Sequence, residues 1–353
     1  MNKLIRITTV PVSLEKLLEN QLGFMNNFYD VTAISSDEKR LLRIGECQGI
    51  DTFHIELTRK ITPIKDLKAV LKLYRFLKKE SPQIVHTHTP KAGIVGMLAS
   101  YFAKVPIRLH TVAGLPLLEA IGVKRQILKI VEKITYSCAT KVYPNSSGLK
   151  GIIQINKFAQ EDKLKVIANG SSNGIDTSYF DPKLFSIKDH EDLKTNLGIR
   201  KTDFVYIFVG RIVSDKGINE LVTAFEKLCS VEQNLKLLLV GPLEDELDPL
   251  QKKTKRLIRN NANIISVGYQ KDVRQYFLVS DCLVFPSYRE GFPNVVMQAG
   301  AMALPSIVSD INGCNEIIQN NLNGKVIKVK SISAIYDAML EMYTDKQLYV
   351  KVK

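Results

Sequence analysis

Phe204-Val205-Tyr206-Ile207-Phe208-Val209-Gly210-Arg211-Ile212-Val213-Ser214-Asp215-Lys216-Gly217 is the stretch whose reading decides the fold. Six apolar residues closed by a glycine read as a fully buried strand. Gly210, Arg211 and Lys216 follow directly, ahead of a helix, so two cations converge on a helix N-terminus. A diphosphate there would meet the planar fork of Arg211, the point charge of Lys216 and the free N–H groups of the helix start. An ordinary strand-to-helix loop with two solvated cations explains the same residues, and this stretch alone leaves both readings open. The Gly-x-x-x-x-Gly-Lys-Ser/Thr pattern is missing, which argues against a P-loop nucleotide hydrolase.

Outward from this strand the same alternation continues. Residues 235–240, 264–267, 282–285 and 306–308 read as further strands with helices between, which predicts a parallel sheet. The first half repeats the scheme, with strands expected at 4–10, 31–35, 52–57, 84–88, 107–112 and 165–168. An amphipathic helix is expected at 63–79, with Pro63 in its first turn and Lys65, Lys68, Lys72, Lys78 and Lys79 mostly outside. Residues 173–200 are rich in Asp, Ser, Lys and Pro and read as a linker with an irregular entry segment. Two domains, 1–180 and 181–353, are therefore expected. A chain of 353 residues suits that number. Open α/β sheets bind ligands beyond the carboxyl ends of their strands, so the chemistry is expected in the strand-end loops.

Composition narrows the class. Apolar residues make up 45% and charged residues 24%, a globular balance, and no apolar run is long enough to cross a bilayer. Met1-Asn2-Lys3-Leu4-Ile5-Arg6-Ile7 reads as a first strand rather than a signal peptide, so a cytoplasmic location is expected. Five scattered cysteines (Cys47, Cys138, Cys229, Cys282, Cys314) suggest neither a disulfide framework nor a zinc site. The net charge is +13, and residues 1–180 hold 26 Lys and Arg against 15 Asp and Glu, whereas 181–353 hold 23 against 21. The basic excess of the first half favours anionic partners. Absence of tryptophan and of an Arg/aromatic RNA-binding signature weighs against nucleic acid.

A second constellation follows the strand at 282–285. In Pro286-Ser287-Tyr288-Arg289-Glu290-Gly291-Phe292-Pro293-Asn294-Val295-Val296-Met297-Gln298, Glu290 stands in a loop and Gln298 on the next helix. Gly291 permits close backbone approach to a ligand, and the Glu290 carboxylate can accept hydrogen bonds from sugar hydroxyls. A glutamate before a glycine is also a common turn.

These two segments, in this order and spacing, resemble glycosyltransferase family 4, and the resemblance spans most of the chain. It implies the GT-B fold, an α/β architecture of two Rossmann-like domains facing across a cleft. The family pattern is Gly-Arg-(x)n-Lys-Gly followed by Glu-Gly-Phe, with a second Glu eight residues after the first. Glu290 matches the first acid, and Gln298 occupies the place of the second. The resemblance assigns Glu290 to the donor sugar and position 298 to the ribose hydroxyls, where glutamine keeps an acceptor oxygen but loses the charge. It further implies that Arg211 and Lys216 clamp the diphosphate, and that Gly210, Gly291, Phe292, Pro293 and Asn294 line the nucleotide-sugar site. Asp310-Ile311-Asn312-Gly313-Cys314-Asn315-Glu316 is similar to the segment that closes the family's donor pocket, although its Asp and Asn residues also suit a helix cap. His110, at the end of the strand 107–112, is implied to face the cleft and to bond the donor sugar. His86 and His88 could share one strand face as a metal pair, but no third ligand is apparent. Neither metal nor cofactor is expected, because the family neutralises the diphosphate with cationic side chains; both histidines are read as cleft wall, with Lys91 reaching a phosphate. Thr8-Thr9-Val10-Pro11-Val12-Ser13-Leu14 replaces the family's Gly-Gly loop, and the chain stops at Lys353 where members generally continue with a helix crossing back onto the first domain.

The implied reaction is transfer, with retention, from a nucleoside-diphosphate sugar, UDP-linked and carrying an N-acetylhexosamine. For the acceptor, 115–133 mixes apolar residues with Lys and Arg as a helix dipping into an anionic leaflet would, or as an amphipathic core helix would. Together with the basic first half it favours a polyprenyl-diphosphate-linked saccharide in bacterial surface-polysaccharide assembly. The enzyme would then sit peripherally on the inner face of the cell membrane. Alternatives are a UDP-sugar 2-epimerase of the same architecture and a non-catalytic sugar-nucleotide-binding protein.

Overall fold

The computed structural model describes residues 1–353 apart from Arg59, Asp245 and Leu247. The chain divides into two compact units, Met1–Asn173 and Gly174–Lys353, so the units meet at Asn173/Gly174 and not at residue 180. In the first unit β1 (Lys3–Ile7), β2 (Asp30–Ser35), β3 (Asp51–His54), β4 (Ile84–His88), β5 (Ile107–Val112) and β6 (Lys141–Pro144) form a parallel sheet in the order β3-β2-β1-β4-β5-β6. In the second unit β7 (Phe204–Val209), β8 (Leu235–Val240), β9 (Ile264–Gly268), β10 (Cys282–Phe285), β11 (Ser306–Ser309) and β12 (Gly324–Ile327) repeat it as β12-β11-β10-β7-β8-β9. Both are the doubly wound order, whose strand sequence reverses between β1 and β4 and again between β7 and β10. Beyond the carboxyl ends of those strand pairs such sheets bind ligands.

Strand composition explains the layering. β7 and β10 are buried along almost their whole length, as strands covered by helices on both faces must be. In β1, Leu4 and Arg6 point to one face and Ile5 and Ile7 to the other. Ile5, Ile7, Ile34 and Val85 pack with Leu73 and Leu77 of the helix Pro63–Glu80, Val95 of the helix Pro90–Phe102 and Tyr136 of the helix Gly122–Cys138. Leu4, Val31 and Ala33 pack beneath Leu14, Leu18, Leu22, Leu41 and Ile44 on the opposite side. The second unit is held by one continuous apolar core.

Four expectations are corrected. The sixth strand of the first sheet is Lys141–Pro144, not 165–168; the latter stretch lies beside a single parallel bridge, Val142 to Leu164, and Ile167 is exposed. Tyr143 and Pro144 give that short strand little apolar signal. β1 ends at Ile7, because the chain turns at Thr8 and enters a helical segment at Pro11. A helix, Ile187–Asn196, occupies the segment expected to be irregular, started by a capping box in which the Ser186 hydroxyl accepts from the Asp189 N–H at 3.1 Å and the Asp189 carboxylate accepts from the Ser186 N–H at 2.9 Å. β12 was unforeseen, since Gly324-Lys325-Val326-Ile327 lacks a run of apolar residues. Among the described residues no helix is long and apolar enough to cross a membrane.

Candidate functional site

The carboxyl ends of three neighbouring strands, β7, β10 and β11, bring the predicted segments together. After β7 the chain makes a short 3-10 turn, Ser214–Lys216, and enters the helix Ile218–Cys229 through Gly217 at φ +71°. A Cβ at Gly217 would lie 2.2 Å from the Pro286 carbonyl oxygen, so the loop after β7 rests on the loop after β10 main chain to main chain. The Tyr288 N–H donates to the Asp215 carbonyl at 2.9 Å across the same junction. Gly313, at φ +77°, repeats the arrangement on the other side, where a Cβ would lie 2.2 Å from the Gly291 carbonyl oxygen. The Asn312 side-chain amide donates to the Glu290 carbonyl oxygen there. Residues distant in sequence are thereby held in one rim.

On that rim the Lys216 ammonium pairs with the Glu290 carboxylate, and both side chains are only 16% exposed. The Ser287 hydroxyl donates to the same carboxylate oxygen at 2.7 Å, leaving Oε2 for another donor. The Cys314 thiol is pushed well above its ordinary range, first by burial and then by the nearby Glu290 charge. Arg211 is more open, 35% exposed, and its Nη1 donates to Glu244 at 3.0 Å while Nη2 stands 4.0 Å from Asp215. Arg289 pairs with Asp215 at 3.0 Å.

Lys216 and Arg211 each hold a carboxylate, which the sequence did not indicate. The two pairs differ in physical weight. A half-exposed pair such as Arg211–Glu244 contributes about 0–1 kcal/mol. Lys216–Glu290 is more enclosed and tied by Ser287, so it behaves as a fixed dipole beside the helix start. Gly210 follows β7 directly, Gly291, Phe292 and Pro293 lead into the helix Asn294–Ala301, and Asn294 is its first residue. Gln298 lies on the next turn, half-buried, and among the described residues its side-chain amide makes no hydrogen bond. In 310–316, Asp310 accepts from Asn315 at 2.9 Å and Glu316 accepts from the Gly313 N–H at 3.1 Å, which is the capping geometry. Glu244, Asp215 and Ser287 were not singled out by sequence, and Asn312 only as a helix-cap candidate in the pocket-closing segment. Ser287 stands three residues before Glu290, a spacing that suits a turn hydrogen bond, and Glu244 follows β8 in the chain, where nothing in the local pattern marks it.

In the first unit the implied site residues have partners within the fold. His110 is 2% exposed, its ring lies against Gly93, and Nδ1 bonds the Thr87 hydroxyl at 2.7 Å. Burial lowers its pKa to about 4, so it is a neutral interior histidine. Lys91 pairs with Asp66 of the helix Pro63–Glu80 instead of projecting toward a phosphate. His86 and His88 stack at 4.3 Å between ring centres, His86 bonding Thr111 at 2.8 Å.

Known proteins share this arrangement. Residues 189–353 match the family described as glycosyl transferases group 1, and residues 18–159 match the family described as glycosyl transferase 4-like. The chain is 34% identical to the capsular polysaccharide biosynthesis glycosyltransferase CapM of Staphylococcus aureus, over 98% of this chain and 89% of that protein. It is 32% identical to the UDP-Gal:alpha-D-GlcNAc-diphosphoundecaprenol alpha-1,3-galactosyltransferase of Escherichia coli, over 93% of this chain and 84% of that one. The fold superposes on Anabaena Alr3699/HepE solved with UDP-glucose, with a TM-score of 0.79 and 18% identity over 100% of this chain and 92% of that one. The last likeness concerns the fold alone, but identity above 30% along nearly the whole length is kinship: this protein belongs to glycosyltransferase family 4 and is a glycosyltransferase of the GT-B fold.

Proposed function

We propose that the enzyme moves a sugar, an N-acetylhexosamine, from its UDP-linked donor to a polyprenyl-diphosphate-linked saccharide during surface-polysaccharide assembly, with retention of configuration. The observation that carries this reading is the convergence of Arg211, Lys216 and Glu290 at the ends of β7 and β10. As the sugar–phosphate bond breaks, the diphosphate gains charge while the sugar becomes oxocarbenium-like. Cations already in place lower the energy of that state more than of the ground state. Arg211 exchanges Glu244 for a phosphate oxygen, and Lys216 supplies the second positive charge. Glu290, held by Lys216, Ser287 and Asn312, turns Oε2 to a hydroxyl of the sugar. Gln298 offers its amide oxygen to the ribose. No side chain serves as nucleophile, so acceptor attack is on the face from which the diphosphate leaves. A divalent metal is not required, because two side-chain cations meet the diphosphate.

The acceptor reading rests on the first unit. Val123, Ile127, Ile130 and Ile134 form one exposed face of the helix Gly122–Cys138, with Lys124, Arg125 and Lys133 exposed beside it. An apolar stripe flanked by cations suits the inner, anionic leaflet that presents a polyprenyl carrier. The relative from Escherichia coli is named for a diphosphoundecaprenol acceptor.

The test is incubation of purified protein and membranes with radiolabelled UDP- and GDP-sugars, with and without EDTA, followed by lipid extraction. Label in the lipid fraction, undiminished by EDTA, is expected. UDP release without acceptor and without labelled lipid would instead indicate an epimerase.

A further inference from the structure

Arg6 is a cation placed inside a sheet. It lies on β1 beside Leu4, on the face otherwise packed by Val31, Ala33, Leu14, Leu18 and Leu22, and is only 5% exposed. Its register partner on β4 is His86, but the guanidinium reaches on to His88, the last residue of that strand. It therefore ends at the carboxyl edge of the sheet, between β1 and β4, where the strand order reverses.

Its hydrogen bonding is incomplete. Nη2 contacts His88 Nε2 at 3.0 Å and donates to Gln21 Oε1 at 3.3 Å. His88 Nε2 must be the acceptor, which puts the ring proton on Nδ1. Nε is buried and, among the described residues, has no partner. Nor does any carboxylate among the described residues pair with Arg6, in contrast to Lys91 with Asp66, Lys216 with Glu290 and Arg274 with Asp272. Burial lowers the guanidinium pKa to about 10, so it stays charged at neutral pH. Both histidines are driven toward their neutral forms, chiefly by burial, and supply no negative charge. A buried cation lacking a counter-ion destabilises a fold unless something outside the chain completes it.

We infer that Arg6 is the centre of an oxyanion subsite, and that the oxyanion is a phosphate of the acceptor's lipid-linked diphosphate. The inference rests on the acceptor proposed above. Both existing contacts use Nη2, so they fix the orientation of the guanidinium, and among the described residues Nη1 is left without a partner for the ligand to meet. Gln21 is anchored in turn, its amide nitrogen donating to the Ser172 carbonyl at 3.0 Å. A guanidinium suits a buried phosphate better than a lysine does, because it stays charged and is more weakly hydrated than an ammonium. The leaving diphosphate has its own cations in the second unit, so the two anionic groups need not compete for one site.

Thermal unfolding of the full chain saturated with UDP tests the anion, with inorganic pyrophosphate and inorganic phosphate as probes. In the wild type, pyrophosphate is expected to raise Tm beyond the UDP effect. In Arg6→Met the UDP shift remains and reports an intact fold, whereas the added pyrophosphate shift is lost. Ligand-free Arg6→Met should melt no lower than wild type, since an unpaired buried charge has gone. Kinetics test the source: with a polyprenyl-diphosphate saccharide, Arg6→Met should raise KM by about 10–100-fold while kcat changes far less, and Arg6→Lys should recover part of the loss. The same saccharide on an uncharged alkyl chain should not distinguish the variants. A lower ligand-free Tm for Arg6→Met with an unchanged acceptor KM marks Arg6 as structural and overturns the inference. A pyrophosphate shift confined to wild type, with acceptor KM unchanged, assigns the subsite to free phosphate and overturns the acceptor assignment. Absence of any lipid product, with that wild-type shift still present, overturns the acceptor reading while leaving the anion site standing.

Discussion

The two units are built on one strand order and handle charge in opposite ways. In the second unit the central strand, β7, is apolar throughout, and the charged groups stand in the loops beyond it, where Lys216, Arg211 and Arg289 each meet a carboxylate. In the first unit the corresponding strand, β1, carries Arg6 within the sheet, and three histidines held toward the neutral form stand on β4 and β5, His88 and His110 buried and His86 half-buried. Overall charge follows suit: residues 1–173 hold 26 Lys and Arg against 14 Asp and Glu, and residues 174–353 hold 23 against 22. A common topology fixes where loops converge and leaves open whether charge is compensated within the protein. The second unit is balanced and needs only local exchange of partners to accept a ligand. The first is unbalanced, as a surface for anions should be.

The contrast can be broken most forcefully at Arg211. Arg211→Ala should lower kcat by about 100-fold or more, as loss of a donor to developing charge does. Glu244→Gln should move the other way on binding, lowering KM for the donor a few-fold, because it removes the competitor for Arg211. Steady-state kinetics on both variants check the exchange, and a higher KM in Glu244→Gln would refute it.

Next in size is Glu132, on the inner face of the helix Gly122–Cys138, whose pKa burial raises to about 7. The folded state binds this proton more tightly than the unfolded chain, so its contribution is full below about pH 4.5 and is lost as pH rises through 7. Glu132→Gln should therefore stabilise the protein at pH 8 by roughly 3 kcal/mol, with the difference fading toward pH 4.5. Melting curves across that range decide it; a constant difference would deny that the carboxyl titrates there.

Replacing Ile127 and Ile130 by serine should weaken binding to anionic vesicles about tenfold, with little change for neutral ones, as read by sedimentation. Smallest is Gln298→Glu. Restoring the family's acid should tighten UDP-sugar binding by only a few-fold, since one charge-assisted hydrogen bond at a half-exposed position replaces a neutral one. Calorimetry suffices to see it, and weaker binding would place the ribose elsewhere.

Much of this was legible in the amino-acid order. Buried parallel strands leave continuous apolar runs, so β7, β8 and β10 could be bounded to the residue. Two short edge strands do not: β6 and β12 hold four residues each, with a lysine and a proline or glycine among them, and escaped notice. For the proposed site, Arg211 and Lys216 stood out by charge at a helix start, and Glu290 through the family resemblance. Their pairing did not, because Glu244, Ser287 and Asn312 act through contacts across loops that no local pattern encodes. His110 shows another limit: its strand was located correctly, yet its bond to Thr87 on the neighbouring strand depends on a register that the strand's own sequence does not carry.

The glycine contacts at 217 and 313 carry an implication for anyone recombining this enzyme with its relatives. Each joins two strand-end loops by their main chains at a separation no side chain can share. The loops after β7, β10 and β11 therefore form a single exchangeable cassette. A chimera that imports one of them alone inherits a mismatched spacing against the other two, whereas a transplant of all three preserves it.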